Sequence, residues 1–203
     1  MTAVNAIMKL LSKLEPCVIR NGGKSLRNSV ALEFYARSGT WMTTDYSDGI
    51  QELHAWEIDK QFEADLRLNL PNANVRIGDS YVISLEDRYN TYFDVVVLDN
   101  PQGVWDKYCE HFEALERAFV LVKSPSIIVF NVNFRPFDYD SHPDWQRVRS
   151  EYYGKDARHL SENDITETYI SKCESAGFKV LSHASEIRDS KYLMLFGIVV
   201  KRV

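Results

Sequence analysis

Cysteine is scarce and scattered in this chain. Cys17, Cys109 and Cys173 are the three in 203 residues, at long spacings and with no Cys-x-x-Cys pair. That leaves no basis for a disulfide framework or a thiolate zinc site and points to a reducing compartment. Long apolar runs are missing too. Nothing approaches the roughly 20 residues of a membrane span, and Lys9, Lys13 and Glu15 interrupt the apolar N-terminus where a secretory segment would be continuous. A cytoplasmic location and no membrane partner are therefore expected. Positive charge is in deficit: 24 Lys and Arg against 29 Asp and Glu give a net charge of -5. A sequence-independent grip on long nucleic acid needs the opposite balance. His54, His111, His142, His159 and His183 show no metal-ligand spacing, and no metal site is expected. Glycine is sparse at 9 residues, and no Gly-x-Gly-x-x-Gly follows the first strand-like run, which removes the usual signature of nicotinamide dinucleotide binding.

What is present is enough for a core: 45% hydrophobic against 26% charged residues in a length that fits one domain, 1–203. Val4, Ile7, Met8, Leu10, Leu11 and Leu14 are spaced for an N-terminal helix over 4–15, with Pro16 as its stop. Strand-like and helix-like segments then alternate. Strands are expected at Val30–Phe34, Leu53–Ile58, Asn74–Ile77, Asp94–Leu98 and Ser126–Phe130. Helices are expected within 35–51, at Lys60–Leu70 and at Trp105–Val122, and another at Glu162–Ala176 ends on Gly177. Lys179–Ser182 and Tyr192–Val200 read as a closing antiparallel pair. The alternation predicts an α/β fold: a doubly wound, mostly parallel seven-stranded sheet with helices on both faces and an antiparallel C-terminal strand pair.

In such a sheet ligands bind outside the carboxyl ends of the strands. Four acids fall there: Glu33, Glu57, Asp79 and Asp99, separated by about 20 to 24 positions, one βα unit each. On the residues alone, each has a structural alternative. Glu57 could be a solvated strand end, Asp79 a helix N-cap, Glu33 the partner of a loop amide and Asp99 the cap of the next turn. The segment 131–160 is an expected lid or insertion. Its Phe134, Arg135, Phe137, Tyr139, Trp145, Arg147, Arg149, Tyr152 and Tyr153 suit stacking on a planar acceptor or gripping an anionic one. They equally suit packing of a helical excursion on the sheet edge, or a homodimer contact.

The ordered series Ala31-Leu-Glu-Phe-Tyr-Ala-Arg-Ser-Gly-Thr, Ala55-Trp-Glu-Ile-Asp, Ile77-Gly-Asp-Ser and Val97-Leu-Asp-Asn-Pro, closing with Ala176-Gly-Phe-Lys-Val, resembles the class I S-adenosylmethionine-dependent methyltransferases. The resemblance covers about 28–200. It implies S-adenosylmethionine as cofactor and methyl transfer as the reaction. It implies that Glu57, followed by Ile58, takes the ribose hydroxyls, and that Asp79 within Gly78-Asp79-Ser80 takes the adenine amine. Gly39, with Tyr35 and Ala36, would let the loop after the first strand approach the methionine part, anchored by Glu33. Asp99 and Asn100 would stand where methyl donor meets acceptor, Asp99 also touching the cofactor and serving as base where one is needed, with His142 behind it. The first motif departs from the family's Gly-x-Gly-x-Gly by carrying Tyr35 and Arg37. Asn100-Pro101-Gln102-Gly103 is a partial echo of the Asn-Pro-Pro-aromatic loop, so DNA adenine methylation is not expected. A small-molecule acceptor is favoured, with nucleic acid or protein behind it. Asp99 with Asn131 or Asn133 is the one oxygen set weighed for Mg²⁺. Aminopropyl transfer of the polyamine-synthase type, and a non-catalytic scaffold of the same fold, stay open as alternatives.

Overall fold

The computed structural model describes residues 6–40, 43–99, 110–133, 141, 143–187 and 193–203. Asn100, the 101–103 loop, Cys109, His142, Tyr192 and the aromatic and arginine positions 134, 135, 137 and 139 lie outside them.

The frame is one seven-stranded sheet in the order β3-β2-β1-β4-β5-β7-β6. Its parallel part comprises β1 (Val30–Phe34), β2 (Glu52–Glu57), β3 (Asn74–Ile77), β4 (Phe93–Leu98) and β5 (Val122–Asn133). β6 (Phe178–Ile187) and β7 (Leu193–Arg202) close it antiparallel, with β7 between β5 and β6. This is the architecture the alternating pattern predicts. β4 is buried along all its residues, because helices cover both faces and each apolar side chain finds a layer to enter. Each valine there contributes about 1.5–3 kcal/mol by leaving water.

Side chains alternate between two layers. Ala31, Ala55, Val95, Val97, Ile127 and Val129 face the layer formed with α1 (Ala6–Arg20). Leu32, Phe34, Val96, Leu98, Ile128 and Phe130 face the layer formed with α5 (Glu110–Leu121) and α7 (Glu162–Ser175). Helix α1 buries Ile7, Leu10, Leu11, Leu14, Cys17 and Val18 at helical spacing. It does not stop at Pro16 but runs on to Arg20. Proline removes one backbone hydrogen bond in the helix, and burial of Cys17 and Val18 beyond it offsets that loss. The helix lies close on β7: a Cβ at Gly197 would sit 2.6 Å from Leu14 Cδ1 and 3.0 Å from Leu10 Cδ2.

β5 is longer at both ends than the expected Ser126–Phe130. β5 begins at Val122, directly after α5, because Val122 pairs with Phe93; it continues to Asn133 because β7 pairs with it that far. Within the 131–160 segment lies a regular helix, α6 (Pro143–Tyr153), with Trp145, Arg149 and Tyr153 buried. Ser161 and Asp164 form a reciprocal capping box that starts α7. Among the described residues no helix is long and apolar enough to cross a membrane.

Candidate functional site

The strand order reverses between β1 and β4: β2 and β3 lie beyond one, β5 beyond the other. In open α/β sheets such a reversal is where connections leave in opposite directions and where ligands bind, at the carboxyl ends of the strands. Glu33 pairs in register with Val97, and Phe34 with Leu98, so Asp99 continues β4 one position past the last pair. Glu33, Val97 and Asp99 point to the same layer by alternation. On the other side Leu98 pairs with Phe130, which puts Asn131 one position past that pair, on the same face as Asp99. Glu33, Asp99, Asn131 and Asn133 are all buried polar residues at this edge.

Glu33 receives a hydrogen bond from the hydroxyl of Tyr46, which is fully buried on α2 (Thr43–Ser47). Burial, and then the charge of Asp99, pushes the Glu33 carboxyl well above its usual range; the Tyr46 hydrogen bond works against this. Burial, and then the charge on Glu33, also pushes the Tyr46 phenol up. No local pattern points to Tyr46, whose partner lies 13 residues away.

Glu57 ends β2 at 6% exposure, so the solvated alternative is excluded. Its Oε2 accepts the Arg37 N–H at 2.6 Å and its Oε1 the Asp59 N–H at 2.8 Å. The carboxylate thus clasps the loop after β1. That loop is further held by Ala36 N–H to Trp56 O at 2.9 Å, and by Asn69 Nδ2 to Ser38 O at 2.8 Å. Tyr35 and Arg37 adopt left-handed φ of 61° and 50°, and Gly39 75°. Gly39 has a packing reason to be glycine: a Cβ there would lie 3.0 Å from Leu70 Cδ1 on the outer helical layer. Arg37 is exposed, its guanidinium 5.3 Å from the Phe62 ring centroid.

Asp79 follows β3 and caps α4 (Ser80–Ser84), its Oδ1 accepting the N–H groups of Tyr81 at 2.8 Å and Val82 at 3.3 Å. Gly78 N–H donates to Glu57 O at 2.8 Å, tying the two strand ends together. Ser80 is buried, whereas Val82 (59%), whose N–H meets the Asp79 carboxylate, and Ile58 (64%), one position past β2, are exposed. Arg149, grouped by sequence with groups for an acceptor, is fully buried and donates to backbone oxygens of Ala157 and Asn133. It belongs to the core and is not available to a ligand.

No protein-family model and no curated protein matches the sequence. Solved structures do. TYW2 of M. jannaschii, in complex with AdoMet, is 14% identical over 98% of this chain and 76% of its own, with a TM-score of 0.56. The N-methyltransferase NodS of Bradyrhizobium japonicum is 11% identical over 95% of this chain and 94% of its own, again at 0.56. PH1948 of Pyrococcus horikoshii, described as an RNA methyltransferase, is 17% identical over 95% and 83%, also at 0.56. This is the class I methyltransferase fold.

In the loop after β1 two left-handed positions, Tyr35 and Arg37, carry side chains. A left-handed non-glycine residue costs about 1–2 kcal/mol. Arg37→Gly should relieve that strain and lose a cation–π contact of about 0.5–1 kcal/mol. A net gain of roughly 0.5 kcal/mol in urea denaturation is expected; a clear loss would mean that the arginine stabilises the loop.

Proposed function

We propose that this chain is an S-adenosylmethionine-dependent methyltransferase. The observation that carries the reading is the ordered set of carboxylates, Glu33, Glu57, Asp79 and Asp99, at the carboxyl edge of four adjacent strands in this fold. The residues present suit the cofactor. An exposed carboxylate at Asp79, with exposed Val82 next to it, is apt for a flat heterocycle with an amino group. Glu57 keeps acceptor capacity on each oxygen beyond the single N–H each one takes. When bound, S-adenosylmethionine supplies an electrophilic methyl group on a positively charged sulfur.

In this reading Glu57 and Asp79 hold the nucleoside, with Gly78 and Ser80 shaping the turn between them. Tyr35, Ala36 and Gly39 form the loop over the methionine part. Glu33 and Asp99 present negative charge at the switch point, where positive charge on the ligand is lost during transfer. Asp99, with Asn100 next in the chain, receives the acceptor, and the Asp99 carboxylate takes its proton where one must leave. The larger share of the work is alignment and exclusion of water. Solved structures of this fold include the N-methyltransferase NodS and PH1948, whose name refers to RNA methylation, so small molecules and RNA are both acceptor classes to assay.

Calorimetric titration with S-adenosylmethionine, S-adenosylhomocysteine and the decarboxylated donor tests this. Dissociation constants well below millimolar are expected for the first two. Preference for the decarboxylated donor would favour aminopropyl transfer. No binding of any of the three would sink the enzymatic reading and favour a scaffold, for which the clasped Glu57 loop is the supporting observation.

A further inference from the structure

Glu33 and Asp99 stand on either side of the switch point, on one face, and are 2% and 7% exposed. Two carboxylates on adjacent strands, on one face and that far out of water, do not both ionise readily, since each raises the cost of charging the other. Tyr46 adds a third group. Its ring is fully buried under α2, and its hydroxyl hydrogen is given to Glu33 Oε2. That donation leaves Oε1 of Glu33 as the place for a proton and fixes how the carboxyl is turned. The neighbours of Glu33 in register, Ala55 on β2 and Val97 on β4, are apolar, and the outer layer here is built from Ile7, Leu10, Leu11 and Leu14 of α1, Leu66 of α3 (Glu63–Asn69) and Leu70 at its C-cap. Among the described residues, the groups that act on the charge of Glu33 are Asp99 and Tyr46.

We propose that Glu33 and Asp99 share one proton in the unliganded protein, with Tyr46 as the residue that positions it, and that the pair releases this proton when a cationic group of the ligand enters. This rests on the S-adenosylmethionine reading above. The step balances: the O–H bond at Glu33 Oε1 breaks, its electron pair stays on the carboxylate and the proton passes to the buffer. One positive charge arrives as one leaves, so the charge of the filled site equals that of the empty one. The entering cation is an ammonium or a sulfonium, both carried by the proposed donor. Tyr46 acts through Glu33 and does not itself touch the ligand in this scheme.

Two measurements on the full chain test it. The first is a carbon-13 titration of the glutamate carboxyls, with Glu33 assigned by the signal lost in Glu33→Gln. Glu33 should titrate well above the other glutamates. Tyr46→Phe removes a hydrogen bond that favours the charged form, so its midpoint should rise; Asp99→Asn removes a like charge, so its midpoint should fall. Each shift is expected at about one pH unit, and both substitutions are close to isosteric. A purely structural role for Tyr46 would not produce opposite shifts. The second is calorimetry in two buffers of different ionisation enthalpy, below the Glu33 midpoint. S-adenosylmethionine should release about one proton per site, and 5′-methylthioadenosine, which carries neither cation, should release none. Equal release by S-adenosylhomocysteine assigns the ammonium as the displacing group; release by S-adenosylmethionine alone assigns the sulfonium.

Glu33 titrating in the ordinary carboxylate range, parallel shifts in the two variants, or equal release by the uncharged nucleoside would overturn the proposal. If the carbon-13 shifts hold while neither nucleoside binds, the methyl-donor reading and the release step both fall, and the shared proton stands as a property of the empty fold.

Discussion

Alanine at Glu57 is expected to weaken S-adenosylmethionine binding at least about tenfold, or about 1.4 kcal/mol, and to lower stability by roughly 2–3 kcal/mol. The two effects have separate origins. The stability loss comes from the Arg37 and Asp59 N–H groups, both of which lose a charged acceptor on a residue that is 6% exposed. The affinity loss comes from removing the acceptor for ligand hydroxyls and from releasing a loop that holds Tyr35 and Arg37 in left-handed backbone. Urea denaturation and calorimetry read them independently. Glu57→Gln keeps one acceptor oxygen and should fall between wild type and alanine on both. A loss of stability with unchanged affinity would reduce Glu57 to a clasp and refute its assignment to the ribose.

Arg149→Ala is expected to remove about 3–5 kcal/mol of stability. The guanidinium is fully buried, with Nε–H on Ala157 O at 2.9 Å and a second N–H on Asn133 O. It lies 5.5 Å from the Trp145 ring centroid and 5.3 Å from that of Tyr153. Truncation therefore deserts two carbonyls and opens space between two aromatic rings. Arg149→Lys keeps the charge but loses the planar fork that serves two acceptors, and should still cost about 1.5–3 kcal/mol. A loss below about 1 kcal/mol for alanine in thermal or urea unfolding would show that the site collapses without penalty. Because Asn133 closes β5 at the carboxyl edge, the same substitution loosens the rim on which the proposed site is built.

The parallel half of the sheet was legible in the chain because its strands are short apolar runs ended by acids or polar turns. Asn74–Ile77 has the same bounds in sequence and structure. Helix α6 was harder to read for a definite reason. Trp145, Val148, Arg149, Tyr152 and Tyr153 pack inward at helical spacing, but an arginine occupies a core position and breaks the apolar pattern. The run through Pro16 was hidden because propensity argues against it and burial of Cys17 and Val18, invisible locally, decides it. At the site, the positions of Glu33, Glu57, Asp79 and Asp99 could be inferred from βα periodicity. Their partners could not. Tyr46 reaches Glu33 and the Arg37 amide reaches Glu57 across 13 and 20 residues, and no local pattern encodes either contact.

The place of β7 sets an order on assembly. β6 is made before β7, yet its partner in the sheet is β7, which itself must slot against β5. Ser126 meets Val200, residues far apart in the chain, so the second half of the sheet pays a long loop closure before any pairing rewards it. Until Leu193–Arg202 has emerged from the ribosome, β5 and β6 both present unsatisfied edges. The strands that carry Glu33, Glu57 and Asp99 can pair with one another first, so the edge that would bind the ligand can form before the hairpin that seals the fold.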